Sequence, residues 1–263
     1  VVLEPADRPV VPRLDRPEHR LPSRGVAQER EDPEGLLGGE GEVVGDAHRG
    51  WSAPFEELGE MLAITPDTTR LPRLTSLDPL EVTDKLIDVL AQYNTWAGGK
   101  LCPHVHLSAQ SAQDDVLKRM GRRHHVADMI HVCNSLAAKI PGLCIGSDLI
   151  VGFPGETDAQ FEETYEVLAR VPMHYLHVFS YSKRKGTPAA DWADQLSEPT
   201  KKARAARLRA LSEAKFLAYR QGFVGQTLQV IVETDGCQGM AENYLRVSLE
   251  EAQAPNQRVS IRL

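Results

Sequence analysis

The sequence has no Cys-x-x-Cys pair. Its four cysteines, Cys102, Cys133, Cys144 and Cys237, are scattered. That excludes a zinc knuckle or a dithiol redox pair and suggests buried thiols packing as small hydrophobes. No apolar run approaches the roughly 18 residues needed to cross a bilayer, so no membrane partner is expected. Charged and proline residues are mixed through the first 24 positions, which is unlike a secretory leader, and a cytoplasmic location is the default. An excess of positive charge is also missing. The net charge is −7, so any affinity for nucleic acid must come from local patches. Residues 1–50 lack lysine, aromatics, isoleucine, methionine and cysteine, yet hold six of the 17 prolines and seven of the 20 glycines. Such a segment buries too little apolar surface to offset its ordering entropy, so residues 1–52 are expected to be irregular or disordered. Within it, "GLLGGEGEVVG" (35–45) lacks the Gly-Lys-Ser/Thr ending of a phosphate loop and reads as a flexible loop.

The chain is 41% hydrophobic and 25% charged, as expected of a soluble globular protein. From residue 53 the pattern becomes regular. "APFEELGEMLAI" has helical spacing through Phe55, Leu58, Met61 and Leu62. A strand is predicted over 69–77, weakened by Pro72, and an amphipathic helix over 78–93. Strands follow at 103–110, 143–153 and 173–182. Helices are predicted at 114–120, 126–140, 158–171 and about 198–221. Alternating strands and helices at this spacing indicate parallel β/α units, hence an α/β fold with a partial (β/α) barrel over residues 53–222. After Gly225 three alternating stretches, 227–233, 243–250 and 258–263, are separated by Gly, Asn and Pro turns. They suggest a small all-β, OB-like module over 223–263.

The stretch "CPHVHLSAQ" (102–110) alternates: Val105, Leu107 and Ala109 on one side, His104, His106, Ser108 and Gln110 on the other. Helices cover the outside of a parallel sheet, so the polar side is expected to face the interior, whose C-terminal rim builds sites in barrels. Two further strands agree. Asp148 interrupts an apolar strand, where a buried carboxylate is costly unless paired. It is followed by the turn "GFPGET" (152–157). Tyr175, His177, Phe179 and Tyr181 share one face of the next strand. Two basic features stand out: Lys118, Arg119, Arg122 and Arg123 around a turn, and a helix with Lys201, Lys202, Arg204, Arg207 and Arg209. A solvated face and an RNA-phosphate footprint both account for them.

"LTSLDPLEVTDKLIDVLA", "CPHVHLSAQS", "VLKRMGRRH", "DLIVGFPGETDAQFEET", "LHVFSYSKRKGTPAA" and "ENYLRV" occur in this order. Together they resemble the radical-SAM methylthiotransferases. "HVHLSAQS" and "LHVFSYSKRKGTPAA" are most similar to the branch acting on N6-threonylcarbamoyladenosine of tRNA, ahead of the isopentenyladenosine and ribosomal-protein branches. The resemblance spans about residues 53–263 and implies the last part of a radical-SAM barrel followed by a TRAM module. It implies S-adenosylmethionine bound near Ser108, Gln110, Ser111, Asp148, Gly152, Glu156, Tyr181 and Ser182. The basic helix and the TRAM-like strands suggest tRNA held by Lys201, Lys202, Arg204, Arg207, Arg209, Asn243, Tyr244 and Arg246, and the resemblance implies a reductant protein serving the complete enzyme. Complete members carry a [4Fe–4S] cluster on a C-x3-C-x2-C triplet, and reductive cleavage of S-adenosylmethionine there starts the insertion of the methylthio group. This sequence has no such triplet, and the family's N-terminal domain finds no counterpart in it. Ala109, Ala112 and Lys185 replace the usual Leu, Gly and Pro. The expected protein is therefore an incomplete or inactive methylthiotransferase, with no metal ligands and no catalytic residue assigned. The rivals are a non-catalytic RNA-binding remnant and an unrelated TIM-barrel enzyme, for which no acid–base pair is evident.

Anaerobic reconstitution with iron and sulfide tests the missing triplet. The purified chain is expected to retain no cluster iron, and about four irons per chain with a broad visible absorbance contradicts this.

Overall fold

The computed structural model describes residues 43–44, 73–98 and 101–263. The rest of the segment 1–52, the helix expected around Phe55–Leu62 and the first residues of the 69–77 strand lie outside the described residues. Within the segment expected to be irregular, Val43–Val44 forms a short strand, β1, parallel to β2 (Arg73–Leu77). Two adjacent β-branched residues suit a pleated edge better than the composition around them suggested.

Five strands make one parallel sheet in chain order: β1, β2, β3 (His104–Gln110), β4 (Cys144–Val151) and β5 (Tyr175–Ser180). The helices between them are α1 (Asp84–Tyr93), α2 (Asp114–Arg119), α3 (Val126–Lys139) and α4 (Asp158–Arg170), and α5 (Glu198–Gln221) follows β5. The helix predicted over 78–93 is split. Pro79–Glu81 is a 3-10 turn capped by Asp78, and Thr83 then opens α1 by accepting from the Leu86 N–H at 3.3 Å. A threonine at that position satisfies a backbone donor that the first helical turn leaves free.

The alternation of β3 is realised. Val105, Leu107 and Ala109 are fully buried in a core with Met129, Val132, Cys133 and Leu136 of α3 and Leu86, Ile87 and Leu90 of α1. On the other face, His104 pairs with Cys144 in register and His106 with Gly146. Gly146 in turn pairs with Tyr175 on β5. A Cβ at Gly146 would fall inside the Tyr175 ring. The missing side chain is what lets that ring lie across β4, and its hydroxyl meets His104 Nε2 at 2.9 Å.

The long helix α5 covers the edge strand β5. The Ser212 hydroxyl accepts from the Leu176 N–H at 2.8 Å and faces the Leu176 carbonyl at 3.3 Å. Arg209 donates to the Val178 carbonyl at 3.1 Å. Lys215 donates to the Ala169 and Val171 carbonyls at the end of α4. An uncovered edge strand is a template for foreign strands, and here polar groups of a helix occupy its backbone.

The C-terminal residues form a four-stranded antiparallel sheet in the order β8 (Arg246–Ser248), β7 (Gln238–Ala241), β6 (Thr227–Val232), β9 (Arg258–Arg262). Sequence alternation missed β7, whose Gln-Gly-Met-Ala has little strand propensity. Gly239 permits it, because a Cβ there would collide with Val230 and the Ile231 carbonyl. The predicted strand 243–250 is shortened by the turn through Tyr244, at φ 69°. This sheet docks on the barrel strands. Tyr244 stacks on His104 (centroids 4.4 Å) and on Tyr175 (5.0 Å). Arg73 donates to the Ala241 carbonyl at 2.6 Å, and Trp96 donates to Glu242 at 3.2 Å.

Gly146→Ala places a methyl group where the Tyr175 ring lies. It is expected to cost about 2 kcal/mol and roughly 4–8 °C of melting temperature. An unchanged melting curve shows that the ring does not depend on that gap.

Candidate functional site

The strand ends of β3, β4 and β5 converge on one polar surface. Gln110 closes β3 in a left-handed conformation, φ 64°, and is buried. A non-glycine residue held there is strained, and such strain gathers at binding sites. Ser111 follows, 2% exposed, with its hydroxyl oxygen lacking a protein partner. The Tyr181 hydroxyl just beyond β5 is likewise buried and unpartnered. Its ring packs edge-on against Phe153 at 5.2 Å. Ser108 is half-buried, Ser182 exposed and Asp148 half-buried on the same side of the sheet. His124 supports the rim from behind, its Nε2 donating to the Ala109 carbonyl at 3.1 Å.

Gly152 and Glu156 are used differently from the expected contact with a cofactor. The Gly152 N–H donates to Glu156 Oε2 at 2.7 Å, and a Cβ at Gly152, φ 71°, would strike the Lys201 side chain. Arg204 donates to the same Glu156 oxygen at 2.5 Å and to Asp158 at 2.6 Å. The turn is thus packed by the protein's own side chains, and the Glu156 carboxylate is spent on holding it closed. Burial pushes the Glu156 carboxyl up, while the Gly152 N–H and Arg204 pull it back.

The basic helix is also largely committed to the fold. Lys201 is buried, pairs with Glu198 and donates to the Tyr181 carbonyl at 3.1 Å. Arg204 is buried between Glu156 and Asp158, Arg207 pairs with Glu162, and Arg209 holds Val178. Lys202 is exposed. In the β module Asn243 is fully buried, with no hydrogen-bond partner at either side-chain atom. Tyr244 is turned onto His104 and Tyr175, and the exposed Arg246 reaches Glu233 at 3.2 Å. Helical spacing showed a basic run without showing that carboxylates of α4 and the Gly152–Glu156 turn lie opposite it. The exposed turn with Lys118, Arg122 and Arg123 keeps its basic character.

Deeper on the same face is a cluster for which no metal role was predicted. His106, Asp148 and His177 stand on three neighbouring strands. Asp148 Oδ1 lies 3.5 Å from His106 Nε2 and 3.4 Å from His177 Nδ1. Burial holds His106 below the usual histidine range, against the pull of Asp148. Both histidines were legible as inward-facing, but their convergence on Asp148 was not. A cleft of about 780 Å³ lies elsewhere, at the opposite strand ends, lined by Trp96, Met173, His174, Tyr219 and Phe223. Its polar groups already have partners: His174 Nδ1 accepts from the Ile145 N–H, and Tyr219 donates to the Gly142 carbonyl.

A parallel sheet with polar residues gathered at its strand ends defines a (β/α)-barrel type of site. Residues 52–168 match the Radical SAM superfamily. Within that class the chain is related to methylthiotransferases. It is 33% identical over 201 residues to the threonylcarbamoyladenosine tRNA methylthiotransferase MtaB of Thermotoga maritima, covering 76% of this chain and 45% of that protein. It is 35% identical over 198 residues to the tRNA-2-methylthio-N(6)-dimethylallyladenosine synthase of Protochlamydia amoebophila, covering 75% and 43%. The chain thus spans less than half the length of these curated relatives. The radical-SAM coproporphyrinogen III oxidase HemN of Escherichia coli overlays with a TM-score of 0.45 at 15% identity, covering 76% of this chain and 46% of that one.

Replacing Arg204 by Ala strands the buried Glu156 carboxylate and is expected to cost about 3–5 kcal/mol in denaturant unfolding. Adding Glu156→Gln is expected to recover much of that loss. A single-variant cost below about 1 kcal/mol means that the pair does not hold the turn.

Proposed function

We propose that this chain supplies the S-adenosylmethionine-facing strand ends of a tRNA-modifying radical-SAM methylthiotransferase, with N6-threonylcarbamoyladenosine as the target nucleoside. The observation that carries the cofactor part is that the hydroxyls of Ser111, next to the strained Gln110, and of Tyr181, just past β5, are buried and unpartnered. A buried hydroxyl without a partner costs stability unless a ligand or water supplies one. S-adenosylmethionine is rich in donors and acceptors and carries an adenine ring that suits the Phe153–Tyr181 aromatic corner. Ser108, Gln110, Ser111, Asp148, Tyr181 and Ser182 would hold it, with Gly152 and Glu156 keeping the adjoining turn in shape. Bound there, it supplies an adenosyl group and an activated methyl group. The target nucleoside rests on the likeness of "HVHLSAQS" and "LHVFSYSKRKGTPAA" to the threonylcarbamoyladenosine branch. The C-terminal sheet is read as the TRAM module.

The cluster of the complete enzymes does not fit the cysteines of this chain. Cys102, Cys133 and Cys144 are buried. Burial pushes the Cys102 thiol up to about 11 and the Cys133 thiol to about 12, and raises that of Cys144 further. Cys237 is exposed. Among the described residues no three cysteines come within reach of one ion. Radical initiation is therefore not assigned to any residue here. For tRNA, the exposed Lys118, Arg122, Arg123 and Lys202 would be among the contacts.

Calorimetric titration with S-adenosylmethionine and S-adenosylhomocysteine tests the cofactor reading without any need for iron. The wild-type chain is expected to bind both, and Ser111→Ala and Tyr181→Phe each to weaken binding by roughly three- to tenfold. Absence of binding, or variants that bind as well as wild type, removes the support for the cofactor site.

A further inference from the structure

We infer that His106, Asp148 and His177 form a binding site for one first-row divalent transition cation, with zinc(II) as the reference ion. The site lies on the concave face of the sheet and shares Asp148, but neither histidine, with the proposed cofactor contacts.

Geometry carries the inference. The three side chains offer one ligand atom each, all within 4.8 Å of one another. The two edges to Asp148 Oδ1 measure 3.5 Å and 3.4 Å. These are longer than a usual N–H···O hydrogen bond of about 2.7–3.2 Å. They agree with the ligand–ligand edge of a tetrahedral ion. Metal–nitrogen and metal–oxygen bonds of about 2.0–2.1 Å place two ligands roughly 3.3 Å apart. His106 is 6% exposed, and its Nε2 has no hydrogen-bond partner. A buried imidazole nitrogen is thus aimed at a carboxylate it does not hydrogen-bond.

The backbone explains why the three meet. Asp148 and His177 are register partners on parallel strands. His106 pairs with Gly146, two residues before Asp148, so it sits diagonally across from the carboxylate on the same face. Tyr175, laid over Gly146, packs against both histidine rings at 5.8 Å and 5.1 Å. His177 is 48% exposed at its side chain and Asp148 28%, which leaves an approach from the concave side and room for water or another ligand at the fourth position. Two imidazoles and one carboxylate suit zinc(II) or iron(II) rather than magnesium or calcium, which prefer oxygen alone.

The test uses the full chain, stripped of metal with a chelator and titrated with zinc(II), then with cobalt(II) as an optical probe. About one equivalent is expected, with the visible cobalt(II) d–d bands of a four-coordinate site and no thiolate charge-transfer absorbance. Asp148→Asn and His177→Ala, both at partly exposed positions, are expected to lower affinity by roughly tenfold or more, with circular dichroism confirming the fold. His106→Ala is expected to do the same, but its burial makes the other two the decisive variants. His131→Ala is the control, because His131 pairs with Asp84 on the surface at 3.3 Å without a third ligand. Its affinity is expected to match wild type. S-adenosylmethionine titration of His177→Ala separates the two sites: loss of the ion with retained cofactor binding supports the inference. No binding by the wild-type chain, a cobalt(II) spectrum with thiolate character, or affinity unchanged in Asp148→Asn and His177→Ala each overturns it.

Discussion

The Tyr175 ring lies in the gap left by Gly146, and much of the concave face depends on that one contact. With any side chain at position 146 the ring could not cross β4 to reach His104. Burial keeps the Tyr175 hydroxyl protonated and holds His104 well below the usual histidine range, with Arg73 and the neighbouring histidines adding to the shift. The pair is therefore a neutral hydrogen-bonded unit, and its flat rings give Tyr244 a stacking platform. The same ring packs beside His106 and His177. One missing Cβ thus links the docking of the β module to the placement of the histidine–aspartate cluster.

Charge in this protein is distributed by need at particular backbone groups. The helix α5 is rich in lysine and arginine, yet its long side chains reach carbonyls at Tyr181, Val178, Ala169 and Val171 or carboxylates at Glu156, Asp158 and Glu162. Burying Lys201 and Arg204 carries a desolvation cost, which these acceptors offset. The arrangement seals the edge strand and closes the Gly152–Glu156 turn. Lys202 and the basic residues of the turn between α2 and α3 stay exposed.

Much of the architecture was legible in residue order. Strict alternation in His104–Gln110, an apolar run broken by Asp148, and helical spacing between them predicted parallel β/α units within one or two residues of the observed bounds for β3, α3 and α5. Local chemistry was enough there, since alternation and caps are read within a few residues. Two elements were misread for equally local reasons. Pro79 and Thr83 divide the helix predicted over 78–93, and β7 lacks strand-forming residues because it depends on close approach to β6. Among candidate site residues, Ser111 and Tyr181 follow the ends of β3 and β5 with buried, unpartnered hydroxyls. Gly152, Glu156, Lys201 and Arg204 turned out to serve one another.

By itself the sequence determined which face of each strand is apolar, where most elements run, and the resemblance to a radical-SAM methylthiotransferase. Those follow from periodicities of two and of 3.6 residues and from contiguous motifs, which are properties of neighbouring residues. The tertiary structure alone decided which polar residues share a site. His106, Asp148 and His177 meet through the register of three parallel strands, and Arg204 meets Glu156 through the packing of α5 across the β4–α4 turn. Register and packing are set by contacts between distant segments, so no local reading of the chain contains them.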